Sequence, residues 1–133
     1  MNKPIELYHF TCSHGHEMIC RSGRRIIPQV SHPYVGAALS WFTTESTPAR
    51  YSVGLTSTML QCDRMAHRYI ITDLHGVTPW LTSIWRMATL PHNRDVLELY
   101  ASPGTWWVSD RPIVAEYDPE WHTARQAVRN PHD

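Results

Sequence analysis

Four potential metal ligands fall close together near the start of the chain: Cys12, His14, His16 and Cys20, in the stretch YHFTCSHGHEMICRSGRRIIP. Structural zinc sites usually take one pair of ligands two to four residues apart and a second pair from a distant segment. Here all four lie in one segment, and two histidines two residues apart at a helix start do not face each other. The spacing argues against zinc and for free cysteines and surface histidines. The residues just ahead, His9 and Thr11, offer a different chemistry. Alternate side chains of a strand share a face, so Ile5, Leu7, His9 and Thr11 point one way and Glu6, Tyr8 and Phe10 the other. The first set runs from apolar to polar, as a strand does when it leaves a core and enters a cleft. A His followed by a Thr there can hydrogen-bond a sugar hydroxyl or a phosphate. A half-buried histidine with a structural partner is the plainer reading of the same residue.

Further along, GLTSTMLQCDRMAHR supplies Thr56, Ser57, Thr58, Arg64 and Arg68 as donors for an anionic ligand. Arginine is the better phosphate clamp because its planar fork binds bidentately, although Asp63 beside Arg64 also reads as an ordinary solvated pair. Two other chemistries find little support. The six glycines are scattered singly, so no glycine-rich phosphate loop follows a strand. Cys12 or Cys62 could pair with a histidine as a nucleophile, but nothing visible activates either thiol.

The elements that would position these residues are short. Ile5 to Thr11 reads as a strand, Ser13 as the N-cap of a helix running to Ser22, and Gly23 as the residue after its end, where φ is positive. RRIIP is a second extended piece, QVSHPYVGA a loop, and ALSWFTT (38–44) the next strand. Pro48 suggests a brief helix ended by Gly54. His67 to Asp73 alternates as a strand. Thr78-Pro79 opens a helix with Trp80, Leu81, Ile84, Trp85 and Ala88 as a core stripe, and Asn93 caps a second short helix. TWWVS and IVAEY (113–117) read as strands. Asp118-Pro119-Glu120 opens a last helix containing Trp121, Ala124 and Val128. This order predicts a single α+β domain over 1–133, with short, mostly antiparallel strands and flanking short helices.

The 133 residues, 15.4 kDa, suffice for one core. Lys+Arg and Asp+Glu are both 12 and the pI is near 7.1, so bulk phosphate neutralisation is not expected, although local basic patches remain possible. Three cysteines give no disulfide framework, and neither a signal core nor a membrane-length apolar run is present. A cytoplasmic protein with no membrane partner is the expectation. Six Trp, six Tyr and nine His furnish either a Trp-rich core or the rings of a binding cleft.

LYHFT, a short helix ending in Gly23, then IIP and LSWFTTE, together resemble the opening of small ADP-ribosyltransferase-like domains of the His-Tyr-Glu kind. That family includes enzymes modifying DNA bases and the RNA 2′-phosphotransferases. The resemblance covers residues 5 to 51, with a fainter echo at GTWWVSDRPI. It implies a split sheet with a cleft, NAD as cofactor, and cleavage of the nicotinamide–ribose bond with transfer of ADP-ribose to a nucleic-acid base or protein side chain. His9 and Thr11 match the motif that holds ribose, and Gly23 the turn after the first helix. Trp41 or Phe42 stands where the family usually has Tyr, with Thr43 or Thr44 beside it, and Trp41 would stack on a ring. Arg64 would meet phosphate. The late acid is Glu116 or Glu98, because the strand that should begin with it begins with Thr105. A carboxylate is needed to stabilise an oxocarbenium-like state. If neither acid faces the cleft, only nucleotide binding remains. Two alternatives stand beside this reading. One is a non-enzymatic binding or inhibitor protein using exposed Trp and His. The other is a binder of nucleic-acid ends or 2′-phosphates using Arg24, Arg25, Arg64 and Arg68.

Overall fold

The computed structural model describes residues 4, 6–30, 32, 34–49, 53 and 63–129, with the backbone alone for 127–129. The brief helix expected from Pro48 to Gly54 lies largely outside the described residues, and Ile5, Thr56, Ser57, Thr58 and Cys62 lie wholly outside them.

Six strands form one sheet: β1 (Leu7–Thr11), β3 (Ser40–Thr43), β4 (His67–Ile71), β5 (Thr78–Pro79), β6 (Trp106–Ser109) and β8 (Glu116–Asp118). Their order is β5-β6-β3-β1-β4-β8, and every neighbouring pair is antiparallel. β2 (Arg25–Ile26) and β7 (Ile113–Val114) make a separate two-stranded ribbon. Among the described residues, four α-helices complete the fold: α1 (Ser13–Arg21), α2 (Ile84–Ala88), α3 (Pro91–Glu98) and α4 (Pro119–Arg129). The expected α+β class with mostly antiparallel strands is what the chain adopts.

The two sheet faces carry two separate cores. Leu7, Phe42, Tyr69 and Ile71 pack with Ile19 of α1 and with Ile26 and Ile113 of the ribbon. On the other face Trp106 and Val108 pack with Trp80, Leu39, Val35 and Leu97. Period-two alternation produces this split: Leu7 opposes Ile71, whereas Thr43 opposes Trp106 and Trp41 opposes Val108.

Helix α1 ends as its sequence dictates. Gly23 adopts φ +75° and donates to the carbonyl of Cys20, while the amide of Arg24 reaches back to that of Ile19. These are the two bonds of a Schellman cap. At its start Cys12, rather than Ser13, is the N-cap and supplies no side-chain cap. The Ser13 hydroxyl pairs instead with Nε2 of His67 at 3.1 Å.

The segment after Thr78 departs from expectation. Thr78–Pro79 pairs with β6, Trp80–Thr82 forms a 3-10 turn, and α2 starts only at Ile84. Ser83 is the reason: its hydroxyl donates to the carbonyl of Trp80 and accepts the amide of Arg86, ending one turn and capping the next. Trp80 is buried and Trp85 packs against the same core, but Leu81, Ile84 and Ala88 are exposed, so only the two tryptophans of the anticipated stripe are core. α3 begins at Pro91 in the N1 position, with Asn93 inside it. The single strand expected over 113–117 is two strands, one in the ribbon and one on the edge of the main sheet.

A cleft where two strands part

β1 pairs with β4 along its whole length, but with β3 only at Tyr8 and Thr43. Beyond that pair the two strands separate, and a cleft of about 660 Å³ opens between them, within the ~300–1,000 Å³ range of small-molecule sites. His9 marks the point of parting. Its Nδ1–H donates to the backbone carbonyl of Trp41 at 2.8 Å, replacing a strand-to-strand bond with a side chain. Burial pushes its pKa below the ordinary value, outweighing the opposing effect of that hydrogen bond. The ring is neutral near pH 7, so with Nδ1 protonated the remaining nitrogen, Nε2, is an acceptor.

The cleft gathers His9, Thr11, Trp41, Thr43 and Arg64, five of the positions singled out by sequence. Thr11 projects from the same face as His9 and lies against Gly15 of α1, so closely that a Cβ at Gly15 would stand 1.9 Å from its hydroxyl oxygen. Thr43 has its hydroxyl committed, donating to Thr105 Oγ1 at 3.2 Å and accepting the amide of Glu45 at 3.1 Å. The indole of Trp41 packs against Trp80 and Trp106, with His32 on its edge at 5.1 Å. Trp41 therefore forms a wall of the cleft that is held by the second core, rather than a free stacking plate. Arg64 has no ion-pair partner among the described residues, and its charge together with burial lowers the pKa of neighbouring His32.

The other expected positions lie elsewhere. Gly23 serves the helix cap, and exposed Thr44 donates its amide to the carbonyl of Thr105. Glu116 is exposed on β8, separated from β3 by β1 and β4, and lies opposite Ile70. Glu98 is bound to structure: it accepts from the Trp80 indole at 2.6 Å and from Arg86 Nε at 2.8 Å. Burial raises its pKa, but these hydrogen bonds overcome that and hold it below the usual value. Arg68 joins Asp118 and the carbonyl of Ser46, and sits over the rings of Tyr8 and Trp121. Asp63 pairs with Arg125, not with its neighbour Arg64.

The lining is consequently lopsided. Arg21, Arg25 and Arg64 reach the cleft, as do His9, His14 and His32. The chain has 12 acidic residues; all but Asp133 are among the described residues, and none of those lines the cleft. A neutral chain has thus sorted its charge so that this concavity favours anions. Arg21 also pairs with Glu17 on the exposed face of α1. Sequence reading missed His32, which the loop ahead of β3 brings to the wall, and Ser40, whose place there follows from the register of β3; neither carries a local motif.

A second polar cluster touches the same helix. The rings of His16, His67 and His122 stack nearly parallel, with centroids 4.2 and 4.3 Å apart. His16 Nδ1 meets the Tyr69 hydroxyl at 2.6 Å, and His67 Nδ1 meets that of Tyr117 at 2.7 Å. Burial and the two flanking imidazoles push the pKa of His67 down to about 4. His16 is lowered by burial and by His122. Cys20 lies 3.9 Å from His16 Nε2, but the described residues contain no group of His, Cys, Asp and Glu placed to hold a metal. No helix among the described residues is long and apolar enough to cross a membrane.

No protein-family model, no curated protein and no solved structure matches this chain.

Proposed function

We propose that this domain binds NAD or a related nucleotide in the cleft between β1 and β3. The observation that carries the reading is the convergence of His9, Thr11, Trp41 and Arg64 on one concavity lined by arginines and by no described carboxylate. Aromatic walls suit the rings of a nucleotide, the neutral acceptor of His9 suits a ribose hydroxyl, and Arg64, without an ion-pair partner among the described residues, suits a phosphate. Breaking the nicotinamide–ribose bond asks for a carboxylate near the developing cation. Glu116 and Glu98 are both outside the cleft, so the reading is of a nucleotide-binding module rather than a self-sufficient transferase. Thermal unfolding with NAD, ADP-ribose and ADP tests it: saturating ligand should raise Tm by several degrees, since ligand at 100 times Kd adds ~2.7 kcal/mol. No shift with any of the three rejects it.

A macromolecular partner is a second reading with its own observation. Leu81, Ile84, Met87, Leu90, Leu99 and Tyr100 are large, apolar and exposed on and around α2 and α3, where a soluble monomer would ordinarily show scattered single residues. A protein acceptor or partner would dock there, leaving the nucleotide cleft open.

A further inference from the structure

The register of the main sheet puts an unexpected residue in the cleft wall. Tyr8 opposes Thr43, so continuing the antiparallel pairing past the point of parting would set His9 against Phe42 and Thr11 against Ser40. The rings of His9 and Phe42 do meet, at 5.6 Å. Thr11 and Ser40 are then the next two residues on the same face, one on each side of the opening, and both line it. Ser40 is 3% exposed, and its hydroxyl has no hydrogen-bond partner among the described residues. A buried hydroxyl left unpaired is destabilising, whereas its pairing partner on β6, Ser109, donates its own hydroxyl to the carbonyl of Arg111. Nothing in the packing of β3 requires a polar atom at position 40, where Ala would fill the same space.

We infer that Ser40 is a ligand-binding residue, holding a hydroxyl of a ribose cis-diol that spans the parted strands. The inference rests on the nucleotide reading and deepens it. The three groups on this face of the opening are complementary to two adjacent sugar hydroxyls: His9 offers an acceptor, and Thr11 and Ser40 offer hydroxyls that either donate or accept. A cis-diol presents two donors and two acceptors at a fixed spacing, so it can engage both strands at once. A deoxyribose lacks one of them and leaves one wall unsatisfied. Ser40 thus makes the cleft selective for ribonucleotides over their deoxy counterparts. A site built to hydrogen-bond a hydroxyl discriminates strongly against the analogue that lacks it.

The test compares ADP with 2′-deoxy-ADP and 3′-deoxy-ADP on the wild-type chain and on Ser40→Ala, with NAD measured in parallel. The wild type should prefer ADP over at least one deoxy analogue by tenfold or more. Ser40→Ala should weaken ADP binding about tenfold, the worth of one good hydrogen bond, and remove that preference. The unliganded variant should melt at the wild-type temperature or above it, because the deleted hydroxyl has no partner. A lowered melting temperature, or equal affinity of variant and wild type for ADP, overturns the assignment; in the second case retained NAD binding leaves the nucleotide reading standing. Failure of the wild type to bind NAD and ADP removes both together. Ser40→Cys, which keeps the volume with a poorer hydrogen-bonding group, should fall between Ser and Ala in affinity, and matching the wild type would likewise count against the inference.

Discussion

The imidazole of His9 bridges β1 and the carbonyl of Trp41 at the place where β1 and β3 cease to pair. This one bond ties the two walls of the cleft and selects the tautomer that leaves Nε2 as an acceptor. His9→Ala should therefore act on stability as well as on binding. It leaves the Trp41 carbonyl without its donor, a loss of roughly 1–3 kcal/mol readable in urea unfolding at neutral pH. An unchanged unfolding midpoint would show that the bridge does not hold the strands.

Thr11 and Gly15 form a close approach between β1 and α1. A methyl group at Gly15 would fall 1.9 Å from Thr11 Oγ1, so Gly15→Ala must turn the threonine side chain or displace the helix. Either movement disturbs the hydroxyl at the cleft, and NAD affinity should fall severalfold despite the better helix propensity of Ala. In a Thr11→Ala background most of the stability penalty of Gly15→Ala should vanish. A double-mutant cycle in unfolding free energy should give a coupling above ~0.5 kcal/mol. Additive effects would mean that the two residues do not share this space.

The two candidate carboxylates should separate cleanly. Glu98→Gln removes the charge that Arg86 pairs with and weakens the bond to the Trp80 indole; a loss of ~1–3 kcal/mol in stability with unchanged NAD affinity is expected. Glu116→Gln, exposed on the far edge, should change neither quantity. A loss of ligand binding or of nicotinamide release specific to Glu116→Gln would restore that residue to the site.

Acid should loosen the histidine stack. The unfolded pKa of His is near 6.5 and that of folded His67 is about 4. Between those values the unfolded chain binds more protons, so stability rises with pH across the window. The contribution is complete above about pH 6.5 and is lost progressively as pH falls toward 4, on the order of 3 kcal/mol in total. His16, also lowered, acts in the same direction. Facing His67 are His16 and Ser13 from α1, Tyr117 from β8 and His122 from α4, with Asp63 opposing the shift. His67→Phe keeps a ring in the stack without a titratable group, and unfolding at pH 7 and pH 5 should show a smaller difference than in the wild type. An undiminished difference would place the acid sensitivity elsewhere.

Local chemistry in the sequence was enough for the elements that carry their own punctuation. β4 follows the alternation from His67, the end of α1 follows Gly23, and α4 follows the Asp118-Pro119 start. Where several helical starts compete, the pattern misleads: the apolar spacing from Trp80 to Ala88 looks like one helix, yet Ser83 divides it and leaves Ile84 in solvent. His9 and Thr11 were legible as a strand entering a cleft because period two is a local property. Ser40 was not, since its role depends on the register between β1 and β3. The stack of His16, His67 and His122 draws on three elements far apart in the chain, and no spacing announces it. The absence of any described acidic residue from the cleft is likewise a fact of topology: β8 places Glu116 beside β4, on the other side of β1 from the opening.

The central claim is that the gap between β1 and β3 is a nucleotide site organised by His9. Calorimetric titration of NAD into the wild-type chain and into His9→Ala at pH 7.5 tests it most directly; the wild type should bind one NAD per chain, and the variant should bind at least tenfold more weakly while still unfolding cooperatively. Equal affinity of the two proteins, or no measurable heat with a folded wild type, would contradict it.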